Sequence, residues 1–258
     1  NEAGQGTNNM ISWSWKANGG TTASNYNGSI TSTVQANTTS GFSVVTYTGN
    51  NTSGATVGHG LGAAPDTIIL KALTDSQNWF VNTPVGGGVG YMMLNQENAD
   101  SGSNSSVWNS TSPTSTVFTL GNSGGVNDSI SYLAYCFKSI KGYSKMGNYT
   151  GNNSSDGPFV YTGFKPAFVM IKNTSATSQW PIIDAARDPF NVTDARLRAN
   201  TTAAEAHAHA DLHVSDRFYL VDPAVKVTSS KTVPASSYVA GVIAKSDAER
   251  GFWYSPSN

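Results

Sequence analysis

The sequence predicts an all-β fold made of tandem antiparallel β-sandwich domains with a jelly-roll-like pattern. Short segments alternate apolar and polar residues, as half-buried strands do, and turns rich in Gly, Asn, Ser and Thr separate them. Helical periodicity is scarce along the 258 residues. Many short strands with evenly spaced turns are typical of sandwiches and jelly rolls.

A long internal repeat sets the predicted domain boundaries. Residues 41–79 and 142–180 share an aromatic residue after Gly, the letters YTGNN, a Pro, a β-branched run, a Lys and a closing Trp. The period is about 101 residues, the size of a small domain rather than a solenoid rung of ~20–50 residues. We therefore predict the end of a preceding repeat plus a linker at 1–40, one sandwich at 41–141 and a second at 142–258.

The expected strands follow the chain in order. Residues 11–16 alternate Ile, Trp and Trp with Ser, Ser and Lys, and resemble the closing strand at 130–138. A linker with one short strand would follow up to residue 40. Further strands are expected at 42–48, 67–72, 78–82, 116–120, 130–137, 159–162, 167–172, 180–184, 217–221 and 238–245. The Gly-, Asn- and Ser-rich residues 85–115 should form a loop, and residues 194–213 a helix or an irregular stretch.

Composition excludes several classes of protein. Charged residues make up 12% of the chain and the net charge is −1, which argues against the clustered cations that hold nucleic acid. We expect no membrane span, because no apolar run reaches 18 residues. The polar N-terminus does not look like a signal peptide. The single cysteine, Cys136, cannot form an intrachain disulfide, and its apolar neighbours predict a buried thiol.

Two known families resemble parts of the chain. The stretches NGSITSTVQANTTSGFSVVTYTGN, GHGLGAAPDTIILK, YLAYCFKSIKGYSKMGNYTGN and DGPFVYTGFKPAFVMIK, within about residues 11–205, resemble the repeated β-domains of bacteriophage tail-fibre and related virion proteins. This resemblance implies an extracellular structural protein on the virion that acts in host attachment. Its expected partners are copies of itself, a trimer among them, other phage tail proteins, and a host cell-surface glycan or protein.

The C-terminal part resembles a different phage family. Residues 216–258 contain RFYLVDPAVKV and VPASSYVAGVIAKSDAERGFWYSPSN, which resemble the contractile tail sheath. Three interpretations stay open: a fibre-like module with sheath-like last strands, a sheath relative that carries a β-domain insertion, or a sequence of mixed origin. A structural subunit related to the sheath is therefore an alternative function, and a glycan-degrading tailspike enzyme is a second alternative.

Three histidines form the only metal candidate in the sequence. His207, His209 and His213 lie in HAHADLH, and a His-x-His pair on a strand points both rings to one side. In a trimer, three such pairs would offer six nitrogens to a transition metal. The alternative is a polar loop with uncoordinated histidines, and otherwise we expect no cofactor.

Catalytic patterns are weak, and we expect no enzyme. His59 lies in GHGLG, which lacks the Lys-Ser/Thr of a phosphate-binding loop and predicts a tight turn instead. Asp184, Arg187 and Asp188 cluster in DAARDP, where a local salt bridge or turn cap is the default. No two carboxylates can be placed on either side of a glycosidic bond, and no G-x-S-x-G sequence is present.

Aromatic residues and loops are the better candidates for binding. Equivalent positions in the repeat suggest that Trp79 and Trp180 share a slot in the core. Trp108 lies in the polar stretch SSVWNST and is expected to be exposed. Because loops on a rigid sandwich often carry recognition, we expect a receptor contact in residues 86–115. Its candidate residues are Tyr91, Asn104, Trp108 and Asn109.

Overall fold

The computed structural model describes residues 10–83, 87–187, 195–206, 217–221, 224–233, 237–244 and 252–257. It confirms an all-β fold with antiparallel sheets. The strands up to residue 140 are β1 (Met10–Trp15), β2 (Ala23–Asn25), β3 (Ser32–Asn37), β4 (Phe42–Thr48), β5 (Thr56–Gly58), β6 (Thr67–Ala72), β7 (Phe80–Asn82), β8 (Tyr91–Met93), β9 (Val117–Thr119) and β10 (Ser131–Phe137). The later strands are β11 (Gly147–Thr150), β12 (Ser154–Tyr161), β13 (Phe168–Asn173), β14 (Pro181–Asp184), β15 (Arg196–Arg198), β16 (Arg217–Val221), β17 (Ala224–Val233), β18 (Ser237–Ala244) and β19 (Phe252–Ser257). Two single-turn helices, α1 (Ser105–Trp108) and α2 (Gly124–Asn127), interrupt the first half.

The first sheet has seven strands in the order β2–β3–β4–β10–β6–β7–β8. Its central strands are uncharged and rich in β-branched and aromatic residues apart from Lys71, which suits a sheet covered on both faces. One face forms the first core together with the small β5–β9 sheet and α1. Within this core the rings of Tyr47 and Tyr132 stack at 5.2 Å. The Tyr47 hydroxyl donates to the Val126 carbonyl, and the Tyr132 hydroxyl to the Gly124 carbonyl.

Two segments differ from the sequence-based expectation. The presumed linker up to residue 40 contains β2 and β3, which pair with each other and with β4 as part of the first sheet. The predicted loop at 85–115 contains β8 and α1, so that expectation is wrong for these two elements. Asn104 explains the helix: its side-chain oxygen caps α1 by accepting from the backbone N–H groups of Ser106 and Val107.

The second sheet has five strands in the order β11–β18–β13–β14–β15, and a three-stranded sheet, β12–β17–β16, accompanies it. The second sheet follows the same scheme as β4–β10–β6–β7–β8 of the first: in each, a later strand pairs between two earlier ones. The 101-residue repeat itself stays a prediction.

The two large sheets face each other across a second apolar core. Ile69 of the first sheet and Met170 of the second both belong to it, while their neighbours Ile68 and Leu70 face the first core. Several residue pairs separated by 101 positions lie in or against this second core, namely Phe42 and Tyr143, Ile69 and Met170, Trp79 and Trp180, and Val81 and Ile182. Residues from both large sheets therefore bury one face of each sheet in this shared core.

The first and last strands form a separate two-stranded ribbon. β1 pairs antiparallel with β19, and Met10 lies opposite Ser257. Ile11, Trp13 and Trp15 on one face of β1 are half-buried, whereas Ser12 and Ser14 are exposed, as the alternation in the sequence predicts. In the described part of the chain, no helix is both long and apolar enough to cross a membrane.

Candidate functional site

An aromatic groove lies between the two large sheets, beside β1. We call it the seam groove; it has a volume of about 490 Å³ and opens to solvent. Trp13 and Trp15 of β1 contribute to its wall, with Trp79, Tyr135 and Phe168 from the two sheets and their connections. Cavities of ~300–1,000 Å³ with mostly apolar walls are typical of sites that enclose a compact apolar group.

The tryptophans of β1 are held by edge-to-face contacts. The rings of Trp13 and Trp15 lie 5.6 Å and 5.5 Å from the ring of Phe168, and Trp15 lies 6.0 Å from Phe137. Contacts of this geometry are favourable because the positive edge of one ring meets the negative face of the other. The indole Nε1 of Trp13 is buried without a hydrogen-bond acceptor. These contacts fix the two tryptophans of β1 as part of the groove wall.

Trp180, which lies 101 positions after Trp79, is buried in the second core. Its indole is 1% exposed, and Nε1 donates to the Met93 carbonyl at 3.0 Å. Its backbone N–H donates to the Asn200 side chain at 3.0 Å, just as the N–H of Trp79 donates to Asn95 at 3.0 Å. The expected core position is therefore confirmed for Trp180. Trp79 is only half-buried and packs at the edge of the second core, next to the groove.

Two lysines cap the turns that precede these tryptophans. Lys71 Nζ donates to the carbonyls of Ala72 and Asp75 at 2.9 and 3.1 Å. Lys172 Nζ donates to the carbonyls of Asn173 and Ala176, 101 positions further along, at 2.7 and 3.4 Å. Each ammonium group therefore offsets the unpaired carbonyls of a tight hairpin turn.

Lys172 differs from Lys71 because a loop of the first half covers it. Its Nζ also donates to the Glu97 carbonyl at 3.1 Å and lies 3.3 Å from the Ser178 hydroxyl. The side chain is fully buried, and burial lowers the pKa of Lys172 to about 8, against a smaller opposing effect of the nearby Glu97. The backbone adds two bonds across this contact, Ser178 N–H to the Glu97 carbonyl and Asp100 N–H to the Thr174 carbonyl.

The predicted receptor residues do not form a surface cluster around Trp108. Trp108 is 2% exposed and belongs to the first core, so the expectation that it is exposed is wrong. The physical reason is α1, whose single turn points Val107 and Trp108 inward while its serines stay exposed. Phe118 contacts the Trp108 indole edge-to-face at 6.5 Å.

The other three predicted contact residues are half-exposed and have structural roles. Asn104 caps α1, and Asn109 ends it in the left-handed conformation at φ 50° while accepting from the Ser53 hydroxyl. Tyr91 lies in β8 and packs on Phe80 with ring centres 5.4 Å apart. Their role in receptor binding stays a prediction.

His59 is a structural residue in the connection from β5 to β6. It is buried; Nδ1 accepts from the Leu61 N–H, and Nε2 lies 3.2 Å from the Thr114 carbonyl. These two bonds need a neutral ring with its proton on Nε2, and burial accordingly lowers the pKa of His59. Gly60 and Gly62 follow at φ 74° and 71°, the left-handed region that glycine adopts readily.

The remaining titratable candidates also have structural partners or lie outside the described residues. Asp184 forms the expected local salt bridge to Arg187 at 2.6 Å, and Arg187 also contacts Glu205. Burial raises the pKa of the Cys136 thiol to about 12, as expected for an inert core cysteine. Asp188 and the predicted metal ligands His207, His209 and His213 lie outside the described residues. Within the described ranges, no group of three or more His, Cys, Asp or Glu side chains could hold a metal ion.

Sequence reasoning did not identify the seam groove. Phe42, Tyr135 and Phe137 lie in predicted strands, but the sequence pattern does not indicate which face of the sheet each one occupies. A signal was present: β6 and β10 are apolar at consecutive positions, which indicates burial on both faces and hence a second layer.

The fold and the groove define a class of protein: an all-β protein in which two large antiparallel sheets meet across an apolar core. The chain belongs to the family described as Domain of unknown function (DUF7483), whose model matches residues 1–237. A protein of Pseudomonas aeruginosa (strain UCBPP-PA14) named as a prophage major tail sheath protein is 48% identical over 64 residues. The match covers 23% of this chain and spans 17% of that protein's length. No solved structure matches the chain. The expected similarity to a tail sheath protein is thus found over part of the chain.

Proposed function

We propose that this chain is a structural component of a bacteriophage tail, and that it forms a surface-projecting module for host attachment. The observation that carries the tail assignment is the 48% identity over 64 residues with a protein named as a prophage major tail sheath protein. Local identity at this level over one domain-sized segment favours a shared building block, although the chain spans 17% of that relative.

The architecture supports a module that presents surface rather than performs chemistry. Three groups with perturbed pKa values serve the fold: His59 links a connection to the Thr114 carbonyl, Lys172 caps a turn, and Cys136 lies in the first core. A chain with 12% charged residues and many exposed Asn, Ser and Thr side chains offers neutral hydrogen-bonding groups. Such groups suit contact with a host glycan or protein, and we propose that the chain is not an enzyme.

The candidate attachment surface surrounds α1. Ser103, Ser105, Ser106 and Ser110 are exposed there, on a backbone fixed by the Asn104 cap and the buried Trp108. The Ser103 hydroxyl donates to that of Ser110 at 3.0 Å and the Ser106 hydroxyl donates to Asn104 at 2.7 Å, so the loop presents hydroxyl groups held in place on a rigid scaffold, as recognition loops do. Asn104 and Asn109 would act in this site mainly by holding the loop in shape.

A subunit related to the tail sheath is the second candidate. It rests on the name of the same relative and on the sheath-like letters at residues 216–258. In this case the β-sandwich units would decorate a sheath-type core and form part of a ring around the tail tube. The tailspike alternative has no comparable observation in its favour.

Gold-labelled antibodies against the purified chain, applied to tailed particles of the phage or prophage that encodes it, test both candidates. Label on projections at the tail end or side supports the attachment module, and label at regular intervals along the tail shaft supports the sheath-related subunit. Purified particles that lack the chain altogether would refute both.

Adsorption to host cells tests the attachment role itself. The purified chain should bind host cells and compete with phage adsorption. A variant with Ser105 and Ser106 changed to Lys should bind less, whereas a control with Lys at Thr38 and Thr39, two exposed residues between β3 and β4, should bind normally. An unaltered chain that neither binds cells nor competes would contradict the role.

A further inference from the structure

Two exposed aromatic residues form a paired projection on β12. Phe159 and Tyr161 are each 58% exposed, and Val160 between them is half-buried. Since side chains two positions apart on a strand share a face, both rings lie on the same side of β12. We call them the β12 pair. Single exposed aromatics are common on proteins, but adjacent ones that share a face are typical of contact surfaces.

The backbone beside the β12 pair is poorly suited to sheet extension. β12 is the first strand in the order β12–β17–β16, so one edge has no partner strand among the described residues. Pro158 lacks an N–H to donate, and the Lys145 ammonium already contacts the Tyr161 carbonyl. Proline and lysine at an edge oppose strand-to-strand pairing. The β12 pair is therefore better suited to contact through its side chains.

The seam groove has the complementary properties. Its walls are aromatic and aliphatic, it opens to solvent, and it has about 490 Å³ of space besides the tryptophans of β1. Those tryptophans, Trp13 and Trp15, are also two positions apart on an extended strand. They show how rings at this spacing pack edge-to-face on Phe168 in the groove wall, while neither Phe159 nor Tyr161 lines the groove within their own chain.

We propose that the seam groove is a docking site for a second copy of this chain, whose β12 pair inserts beside Trp79. The two aromatic rings match a groove whose lining contains no charged residue, and the Lys145 ammonium lies 5.9 Å from the centre of the Tyr161 ring on the donating copy. Aromatic anchors seated in preformed pockets carry much of the binding energy in protein interfaces. The inference uses the groove and the β12 pair alone and does not depend on the role in a phage tail.

This contact has a defined symmetry. The projection and the groove are different surfaces of one chain, so each copy can donate one pair and accept another. Head-to-tail contacts of this kind produce a ring if the rotation closes and a helical filament if it does not.

Light scattering of the purified full chain after gel filtration tests the proposal. The unaltered chain should show a mass above 27.1 kDa that rises with concentration. Phe159→Ser with Tyr161→Ser should return the mass to that of one chain. The matched control, Tyr26→Ser, removes an aromatic residue that is 76% exposed elsewhere and should leave assembly unchanged. A monomeric unaltered chain, or assembly that survives the double substitution, would overturn the proposal.

A second variant blocks the groove without disturbing the core. Ala199 is exposed and lines the groove, so Ala199→Trp should fill it and also prevent assembly. The thermal unfolding of both assembly variants should match that of Tyr26→Ser, which excludes misfolding as the cause.

Mixing the two variants that fail to assemble distinguishes a head-to-tail contact from a self-complementary one. The Phe159/Tyr161 variant retains a groove and the Ala199→Trp variant retains a β12 pair, so together they should form a one-to-one complex. Self-complementary contact through either surface alone gives no such rescue. Failure of the mixture to associate would overturn the head-to-tail contact even if each variant is monomeric.

Discussion

The hairpin β6–β7 and the hairpin β13–β14 use the same lysine and tryptophan in two different environments. Lys71 and Lys172 cap equivalent carbonyls, and Trp79 and Trp180 make equivalent backbone bonds to Asn95 and Asn200. Lys172 and Trp180 are nevertheless buried, whereas their counterparts are half-exposed.

The difference comes from a single loop. The segment from Met93 to Asp100 of the first half covers the second hairpin, with its carbonyls at Met93 and Glu97 accepting from Trp180 and Lys172. At the first hairpin, the indole of Trp79 instead lines the seam groove, which opens to solvent. The same pair of Lys and Trp is therefore buried in one hairpin and half-exposed in the other, depending on whether a loop covers the hairpin.

The largest expected effect in this comparison is at tryptophan. Trp180→Ala should lower the free energy of unfolding by about 3–5 kcal/mol, because it leaves a cavity and removes the bond to Met93. Trp79→Ala should lower it by less than about 2 kcal/mol, since the indole is already half-exposed. Urea unfolding of the two variants measures both losses; equal losses would show that the two hairpins are not stabilised differently.

Substituting the two lysines should also destabilise the second hairpin more than the first, with smaller losses than at the tryptophans. Lys172→Met should destabilise the protein by about 2–3 kcal/mol, because buried carbonyls lose their donor. The loss is reduced because the substitution also removes a buried charge. Lys71→Met should cost under about 1 kcal/mol, since water can hydrate the freed carbonyls. Similar unfolding curves for the two methionine variants would contradict the importance of the covering loop.

The contribution of Lys172 to stability should increase at alkaline pH. The folded-state pKa of Lys172 is about 8, below the ordinary lysine value of 10.5, so between these values the unfolded chain binds more protons. Stability from this group should therefore rise as the pH increases through this window, by about 1 kcal/mol at pH 9 relative to pH 7. Unfolding of the unaltered chain minus that of Lys172→Met, measured at both pH values, isolates this contribution. A difference that stays constant or falls would contradict the lowered pKa.

The smallest expected effect concerns the side chain of Glu97. Its carboxylate accepts from the Gln179 side chain at 3.2 Å in an exposed position, while the contacts to Lys172 and Ser178 use its backbone carbonyl. Glu97→Ala should therefore change stability by less than about 0.5 kcal/mol. A much larger loss in urea unfolding would indicate that charge, rather than backbone bonding, holds the loop on the hairpin.

Strand positions were largely predictable because they depend on local alternation. The expected strands at 42–48 and 67–72 coincide with β4 and β6, and 130–137 differs from β10 by one residue. β8 was missed since its three residues, Tyr91–Met93, follow a glycine-rich stretch and lack the length of a recognisable pattern. Short strands of this kind form through pairing with a neighbour, which sequence alone does not reveal.

The candidate site was less predictable because burial depends on distant residues. Trp108 and Val107 lie in an otherwise polar stretch, and the turn of α1 and the contact of Trp108 with Phe118 place the indole in the core. The seam groove joins Trp13, Trp79 and Phe168, which are far apart in the sequence. Its position follows from the way the two sheets stack.

The pairing of β1 with β19 has a consequence for how the fold can be carried within a larger architecture. Met10 lies opposite Ser257, so polypeptide attached to either strand departs from one place on the surface. A unit with adjacent points of entry and exit can be accommodated in a loop of a host protein without separating the ends of that loop. A pulling force applied through those attachments would break the β1–β19 pairing one residue pair at a time, before it acted on the two apolar cores.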